Sequence, residues 1–309
     1  MSLFIDVIEV LSDKVKSGLI DVIGQERKNQ GRPIRKICDI CSKYLDYRDY
    51  RYDKVEKAIH HLQETGQPGN PLYTMLLAVL NDSLDEDSMA IEQFTAFSDT
   101  PLADPFRTEL ADFITIGRFV TLKDYDFLET AGSIMVERYT NEDDITDTLS
   151  NLYLKADSEE FIPVFQRLLD RARKLYPESL SLEGLNGFIN MKGRDYRKAL
   201  ESYLAIKDRL EADKDDPYYN DQLAATWDNI AACYLKLEDV AKTLESCDIA
   251  LEYDKNAATY RVGNPILYKK AEALLLTGEK EQALAIVDTI LNENQEDEKA
   301  LEIKGRINE

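Results

Sequence analysis

The chain has 309 residues, of which 44% are hydrophobic and 31% are charged, so it can bury a continuous core and is not disordered throughout. With only 13 glycines and 9 prolines it has too few turn residues for a β-sandwich or β-barrel, which favours an all-α protein. The formal net charge of −21 repels phosphate backbones, so it argues against nucleic-acid binding and favours a basic partner.

Residues 1–32 predict an amphipathic helical segment. Apolar residues recur at spacings of three and four from Leu3 to Ile23, and Ser17-Gly18 predicts a bend or break within this stretch. The stretch lacks the basic start of a signal peptide, and the sequence has no run of about 18 apolar residues that would predict a membrane-spanning helix. We expect the segment to pack on the first helix pair of its own chain, with another subunit or a partner as alternatives.

Residues 33–145 predict helix pairs with a degenerate sequence pattern. The expected pairs are 33–65 with a turn at 46–50, 71–98 with a break at 81–87, and 104–140 with a turn at 122–125. Several helices are expected to begin at Asn-Pro or Asp-Pro steps, because Asn and Asp accept hydrogen bonds from unpaired helix N–H groups and Pro is tolerated in the first turn. These steps are Asn70-Pro71, Asp104-Pro105, Asp216-Pro217 and Asn264-Pro265. Thr140-x2-Asp143 is a weaker start of the capping-box type.

Residues 146–297 carry the clearest repeats. The unit at 224–257 begins Trp227-x2-Ile230-Ala231-x2-Tyr234, and Ala250 follows in its second helix. Related units are expected at 146–179, about 180–213 and 265–297, and residues 298–309 predict a terminal helix that covers the last pair. Phe165 and Ala199 hold equivalent positions 34 residues apart, whereas later units are spaced by 44 and 40 residues because of extra loop residues near 211–222 and 256–264.

This pattern resembles the tetratricopeptide repeat family, whose first helix carries Trp-x2-Leu-Gly-x2-Tyr. The resemblance covers residues 146–297 well and 33–140 loosely. It implies a right-handed superhelical stack of antiparallel helix pairs, an α-solenoid, that usually binds peptides or proteins. It also implies that several motif residues are core residues that report the fold and not a ligand, namely Trp227, Tyr234, Ala250 and Ala283.

The sequence contains no recognised motif for catalysis, a cofactor or a metal, and we expect none of the three. Gly-rich phosphate loops and His-Glu-x-x-His are absent. His60 and His61 point about 100° apart on a helix, so they cannot share one metal ion. Cys38-x2-Cys41 has no second cysteine pair within reach, and the acidic run at 82–92 lacks the central glycine of a calcium loop and predicts a solvated turn. Four cysteines in a chain of this length indicate a reducing cytoplasm rather than a disulfide scaffold.

The sequence therefore favours a non-catalytic protein- or peptide-binding scaffold whose partner it does not identify. The alternative is a ligand-responsive regulator whose array changes curvature when it binds a peptide or small molecule. A hydrolase or transferase with a site among the repeats has no supporting motif. The family resemblance implies that first helices line a concave face, and the positions expected to face a ligand there are Phe188, Asp228, Tyr268 and Glu272. One aromatic pair with two acids would suit an extended segment that carries Lys or Arg.

Overall fold

A computed structural model of the chain describes residues 2–7, 9–47, 52–66, 69–155 and 159–308. Throughout these ranges the regular structure is helical, with no strand, so the prediction of an all-α fold is confirmed. The packing of the chain divides it into two compact units, Met1–Leu175 and Tyr176–Glu309.

The first unit contains ten α-helices within the described residues. They are α1 (Leu3–Asp6), α2 (Glu9–Glu26), α3 (Arg32–Tyr47), α4 (Tyr52–Thr65), α5 (Pro71–Ser83), α6 (Asp87–Ser98), α7 (Arg107–Gly117), α8 (Tyr125–Arg138), α9 (Glu142–Lys155) and α10 (Phe161–Leu175). A 3-10 turn, Pro101–Phe106, precedes α7, and a π-helical turn, Arg118–Leu122, follows it. The predicted turn at 46–50 lies mostly outside the described residues.

The second unit contains seven α-helices, and residue 309 alone lies outside its described part. They are α11 (Leu180–Lys192), α12 (Tyr196–Ala212), α13 (Tyr219–Lys236), α14 (Val240–Lys255), α15 (Asn264–Leu276), α16 (Lys280–Glu293) and α17 (Glu298–Asn308). Each helix packs on the next along the chain, and α13 also contacts α15 while α15 contacts α17. This is the packing of consecutive antiparallel pairs, with α17 against the last pair.

The same turn joins the two helices of pair after pair. A residue with positive φ ends the first helix and an acidic residue follows it directly before the second; the turns are Asp85-Glu86, Lys123-Asp124, Arg194-Asp195, Glu238-Asp239 and Gly278-Glu279. In the second unit the N–H of the acidic residue donates to a carbonyl five residues earlier, for example Asp239 to Tyr234 at 3.0 Å. This bond closes the end of the first helix. The recurrence shows that degenerate and clear repeats share one local geometry.

Close contacts between small and large residues hold the pairs together. A Cβ added to Gly187 of α11 would lie 2.6 Å from Cζ of Tyr203 on α12, so the tyrosine ring occupies the space that this glycine leaves. Trp227 of α13 is partly buried and contacts two neighbouring hydrophobic clusters, one shared with α12 and one shared with α14 and α15. Its indole bridges consecutive pairs, as the family resemblance implies for a core residue.

The N-terminal segment packs on its own chain, as predicted, but it reaches beyond the first pair. Leu3 and Phe4 are buried, and the Phe4 ring lies 5.9 Å from Phe94 of α6 and 5.0 Å from Phe113 of α7. The predicted bend at Ser17-Gly18 is wrong. Helix α2 continues through Gly18, and a Cβ there would lie 2.4 Å from Cγ of Phe106, so this glycine makes room for an aromatic ring.

A buried carboxylate fixes the start of this segment. Asp82 of α5 is fully buried and accepts hydrogen bonds from the Leu3 N–H at 2.6 Å, Ser2 Oγ at 2.9 Å and Tyr44 Oη at 2.5 Å. Burial raises the pKa of Asp82 to about 6, although the three hydrogen bonds act in the opposite direction. The prediction of a solvated acidic turn is therefore wrong for Asp82, which joins the N-terminal segment to α3 and α5.

The Asn-Pro steps predict helix starts more reliably than the other signals. Asn70 caps α5 by accepting the Leu72 N–H at 3.1 Å, and Asn264 is the first residue of α15. Asp216-Pro217 lies directly before α13, because Asp216 Oδ1 accepts the Tyr218 N–H at 2.6 Å.

Two other predicted starts are wrong. Asp104 and Pro105 lie inside the 3-10 turn, and α7 begins only at Arg107. Helix α9 is capped by Asn141, whose Oδ1 accepts the Asp144 N–H at 2.8 Å, and not by Thr140.

Helix α10 packs chiefly on α8, although the sequence pairs it with α9. A Cβ added to Gly132 of α8 would lie 3.2 Å from Leu168 of α10, so the glycine allows the two helices to approach. Phe161 at the start of α10 also packs on Phe119 of the π-helical turn, with 4.9 Å between ring centroids. The unit at 146–179 is thus less regular than the three pairs of the second unit.

Candidate binding surface

Phe188 offers a partly open aromatic surface on α11. It is 46% exposed, and its ring meets Tyr203 edge to face with 6.1 Å between centroids. Two neighbours of this ring are themselves fixed, because Tyr203 is buried and the Asn186 amide donates to Ser202 Oγ at 2.8 Å. The ring is therefore supported on one side and open on the other, which suits contact with an apolar group.

Asp228 is a buried acid held by a lysine of the next pair. It is 8% exposed, and Lys269 Nζ of α15 donates to its two carboxylate oxygens at 2.8 and 3.0 Å. The same ammonium group donates to the carbonyl of Pro265 at 3.2 Å. Burial raises the pKa of Asp228, while the charge of Lys269 opposes that rise. This ion pair joins α13 to α15.

Tyr268 and Glu272 lie one turn apart on α15 and both hold the terminal helix. The Tyr268 hydroxyl donates to Asp297 Oδ2 at 2.7 Å, directly before α17. Glu272 Oε1 pairs with Lys299 at 3.1 Å and with Arg306 at 3.3 Å, both on α17. The predicted acids of this face are thus already paired with cations of the same chain.

These contacts state what a basic ligand must do. Asp228 and the two residues on α15 lie on helices that contact each other, and Phe188 lies one pair earlier in the same unit. A Lys or Arg of a partner would have to replace Lys269 at Asp228, or Lys299 and Arg306 at Glu272. That the four residues bind a ligand remains a prediction.

A second surface was missed by the sequence reading. The loop between α14 and α15 is attached to α13 by Asp221, which is 7% exposed and accepts hydrogen bonds from three consecutive backbone N–H groups of residues 258–260 at 2.6 to 2.9 Å. These bonds, with one from the Thr259 hydroxyl, hold the pKa of Asp221 well below its usual range. Asp254 accepts the Val262 N–H in the same loop at 2.5 Å.

The attached loop presents an aromatic side chain to solvent. Tyr260 is 64% exposed although its backbone N–H is bound by Asp221. An ordered loop with an exposed tyrosine is a common recognition element. The signal in the sequence is the 40-residue step between Ala231 and Ala271, which leaves six residues more than the 34-residue period for this connection.

The reactive groups considered from the sequence are buried or dispersed. Among the described residues, no three His, Cys, Asp or Glu side chains form a group that could hold a metal ion. The four thiols are free and buried, and burial raises the pKa of Cys38 to about 11 and those of Cys233 and Cys247 to about 12. In the described part of the chain, no helix is both long and apolar enough to cross a membrane.

No family model matches the chain. Solved structures that are similar to it include a chain in the crystal structure of the APC/C hetero-tetramer Cut9-Hcn1, with TM-score 0.44 and 16% identity over 90% of this chain and 53% of the other. This chain thus spans about half the length of that one. The TPR2AB domain of yeast Sti1 in complex with pHSP90 has TM-score 0.33 and 17% identity over 86% of this chain and 94% of the other. The assembly chaperone of RpL4, Acl4, has TM-score 0.29 and 16% identity over 90% and 96%.

The fold is established by the geometry of the chain. Helices of 13 to 18 residues alternate through the three pairs of the second unit, each pair turns at a residue with positive φ, and a small residue of one helix meets a large residue of the next. The first unit repeats the same turn at Asp85 and Lys123. The recognition made from Trp227 and its neighbours is therefore confirmed, and both units are built from tetratricopeptide-like antiparallel helix pairs.

Proposed function

We propose that this chain is a non-catalytic scaffold that binds a protein or peptide on the first-helix face of its second unit. The proposal is carried by one observation: the half-exposed Phe188 lies in the same unit as acids whose cation partners come from the chain itself. A partner with an apolar side chain and Lys or Arg residues would match both features. Four buried free thiols support a reducing compartment, and we place the protein in the cytoplasm.

Binding would proceed by exchange of cations. Lys269, Lys299 and Arg306 already neutralise the acids, so a partner gains only the difference between its own ion pairs and those that it replaces. Such exchange gives modest affinity and strong dependence on ionic strength, because the Debye length falls from about 10 Å at 0.1 M salt to about 3 Å at 1 M. The surplus negative charge of the chain accelerates the approach of a basic partner.

Site-directed photo-crosslinking in the native host tests where a partner binds. A photoreactive phenylalanine analogue replaces Phe188, and the control carries it at Leu154, which is 77% exposed in the first unit. We expect crosslinks from position 188 to segments rich in Lys and Arg, and none of these segments from position 154. Equal capture from both positions would place the binding surface elsewhere.

Paired substitutions then test the exchange of cations on the segment that is captured. Asp228→Asn removes the acid and should weaken binding, whereas Lys269→Gln leaves the acid and frees it for the partner, so it should strengthen binding. Both variants lose the same internal ion pair, so a loss caused by instability alone would affect both equally. Identical effects of the two variants on the dissociation constant would exclude direct contact with Asp228.

A further inference from the structure

A basic groove lies in the first unit of this otherwise acidic protein. Residues 1–65 carry a net charge of +1, against −21 for the whole chain. Helices α3 and α4 enclose an open groove of about 970 Å³. The cationic side chains that line it are Arg32 and Lys36 of α3 with Lys54 and Lys57 of α4, and His61 lies beside them.

The positive charge of the groove is not neutralised by its own acid. Asp39, the carboxylate in the lining, accepts two hydrogen bonds from the Arg27 guanidinium, at 2.7 Å from Nε and 3.2 Å from Nη2. Within the described residues, no ion pair involves Lys36, Lys54 or Lys57. The groove therefore presents exposed ammonium groups on both sides, unlike the paired lysines of the second unit.

The floor of the groove is apolar. Ile37 and Ala58 are each 4% exposed, Ile40 is partly exposed, and Pro33 closes the end beside Arg32. Helices α3 and α4 both pack on α5 and contact each other little, so their outer faces diverge and leave this floor open. An apolar floor between charged sides can hold one apolar side chain while the sides bind the flanking charges.

We propose that the α3–α4 groove binds a short acidic peptide segment of a partner protein, with an apolar residue on the Ile37–Ile40–Ala58 floor. The charge complementarity selects acid, because ammonium groups on both sides would otherwise repel each other across the groove. A long polyanion such as nucleic acid is a poorer match, because residues 66–159 carry a net charge of −14 and would repel its remaining phosphates.

This inference goes beyond the proposed function, since it concerns the other unit and a ligand of the opposite charge. A scaffold with both surfaces would hold a basic segment and an acidic segment on one chain. The two proposals can fail separately, because neither the groove residues nor the probe used below is shared with the first-helix face.

Fluorescence anisotropy of the full chain with synthetic peptides tests the groove. The probe is a short fluorescein-labelled peptide of Asp and Glu residues around a central leucine, and its control has Asn and Gln in place of the acids. We expect the acidic peptide to bind, the amide peptide not to bind, and binding to be lost at high salt. The double change Lys54→Ala and Lys57→Ala should weaken binding about tenfold, the effect of losing two exposed ion pairs.

A matched control separates the groove from overall charge. Lys214→Ala with Lys280→Ala removes the same charge from exposed sites in the second unit and should leave binding unchanged. Ile40→Ser should weaken binding of the leucine peptide but not of a peptide with glycine at that position. Equal loss in both lysine double variants, or tighter binding of a single-stranded oligonucleotide of equal charge, would overturn the proposal.

Discussion

Replacement of Asp82 by asparagine should change how the stability of the first unit depends on pH. Asp82 is fully buried, and burial raises its pKa from 3.8 to about 6 in the folded protein. A carboxyl whose folded pKa is raised stabilises the fold below its unfolded pKa, and this contribution is lost as pH rises through the folded pKa. A shift of about two units corresponds to about 3 kcal/mol, at about 1.4 kcal/mol for each unit.

Asparagine keeps the shape of the side chain but cannot ionise. Its carbonyl oxygen can accept the Leu3 N–H, and its amide can donate to the hydroxyls of Ser2 and Tyr44, each of which can also accept. The nearby Asp87 acts in the same direction as burial on the pKa of Asp82, and it remains in the variant. The stability of Asp82→Asn relative to wild type should therefore rise by about 3 kcal/mol between pH 4 and pH 7.

Hydrogen exchange measured by mass spectrometry on the N-terminal segment, at several pH values between 4 and 7, gives this difference locally. Urea unfolding at the same pH values supports it, although the two units need not unfold together. Asp99→Asn, a change at an exposed position in the same unit, is the matched control and should show no such trend. A constant difference across this pH range would refute the argument. A difference that falls with pH would show that the three hydrogen bonds outweigh burial.

Three further outcomes are expected. Trp227→Ala should destabilise the second unit by about 3 kcal/mol, because the indole is only partly buried and the cost lies at the lower end for a core aromatic; an unchanged denaturant midpoint would contradict this. Asp221→Asn should release residues 258–260, seen as faster exchange of their amides at neutral pH while α15 stays protected. Gly18→Ala should destabilise the first unit by about 1–3 kcal/mol despite better helix propensity, since the methyl group meets the Phe106 ring, and Phe106→Leu in the same chain should restore part of the loss.

The sequence by itself determined the helical class and the features that depend on neighbouring residues. Asn70 and Pro71 predict a helix start because the hydrogen bond that caps α5 is made within three residues. Trp227, Ala231 and Tyr234 predict a repeat because their spacing places them on one face of a helix. Such signals are read along the chain and need no knowledge of what packs against them.

Only the tertiary structure decided the roles that depend on residues distant in sequence. Gly18 has the composition signal of a helix break, yet Phe106, 88 residues later, turns it into a packing site. Asp82 stands in an acidic run that predicts exposure, but Ser2, Leu3 and Tyr44 bury it. The acids of the first-helix face were predictable as positions, whereas their pairing with Lys269 and Lys299 was not, because the distance between two helices is set by the packing of whole pairs.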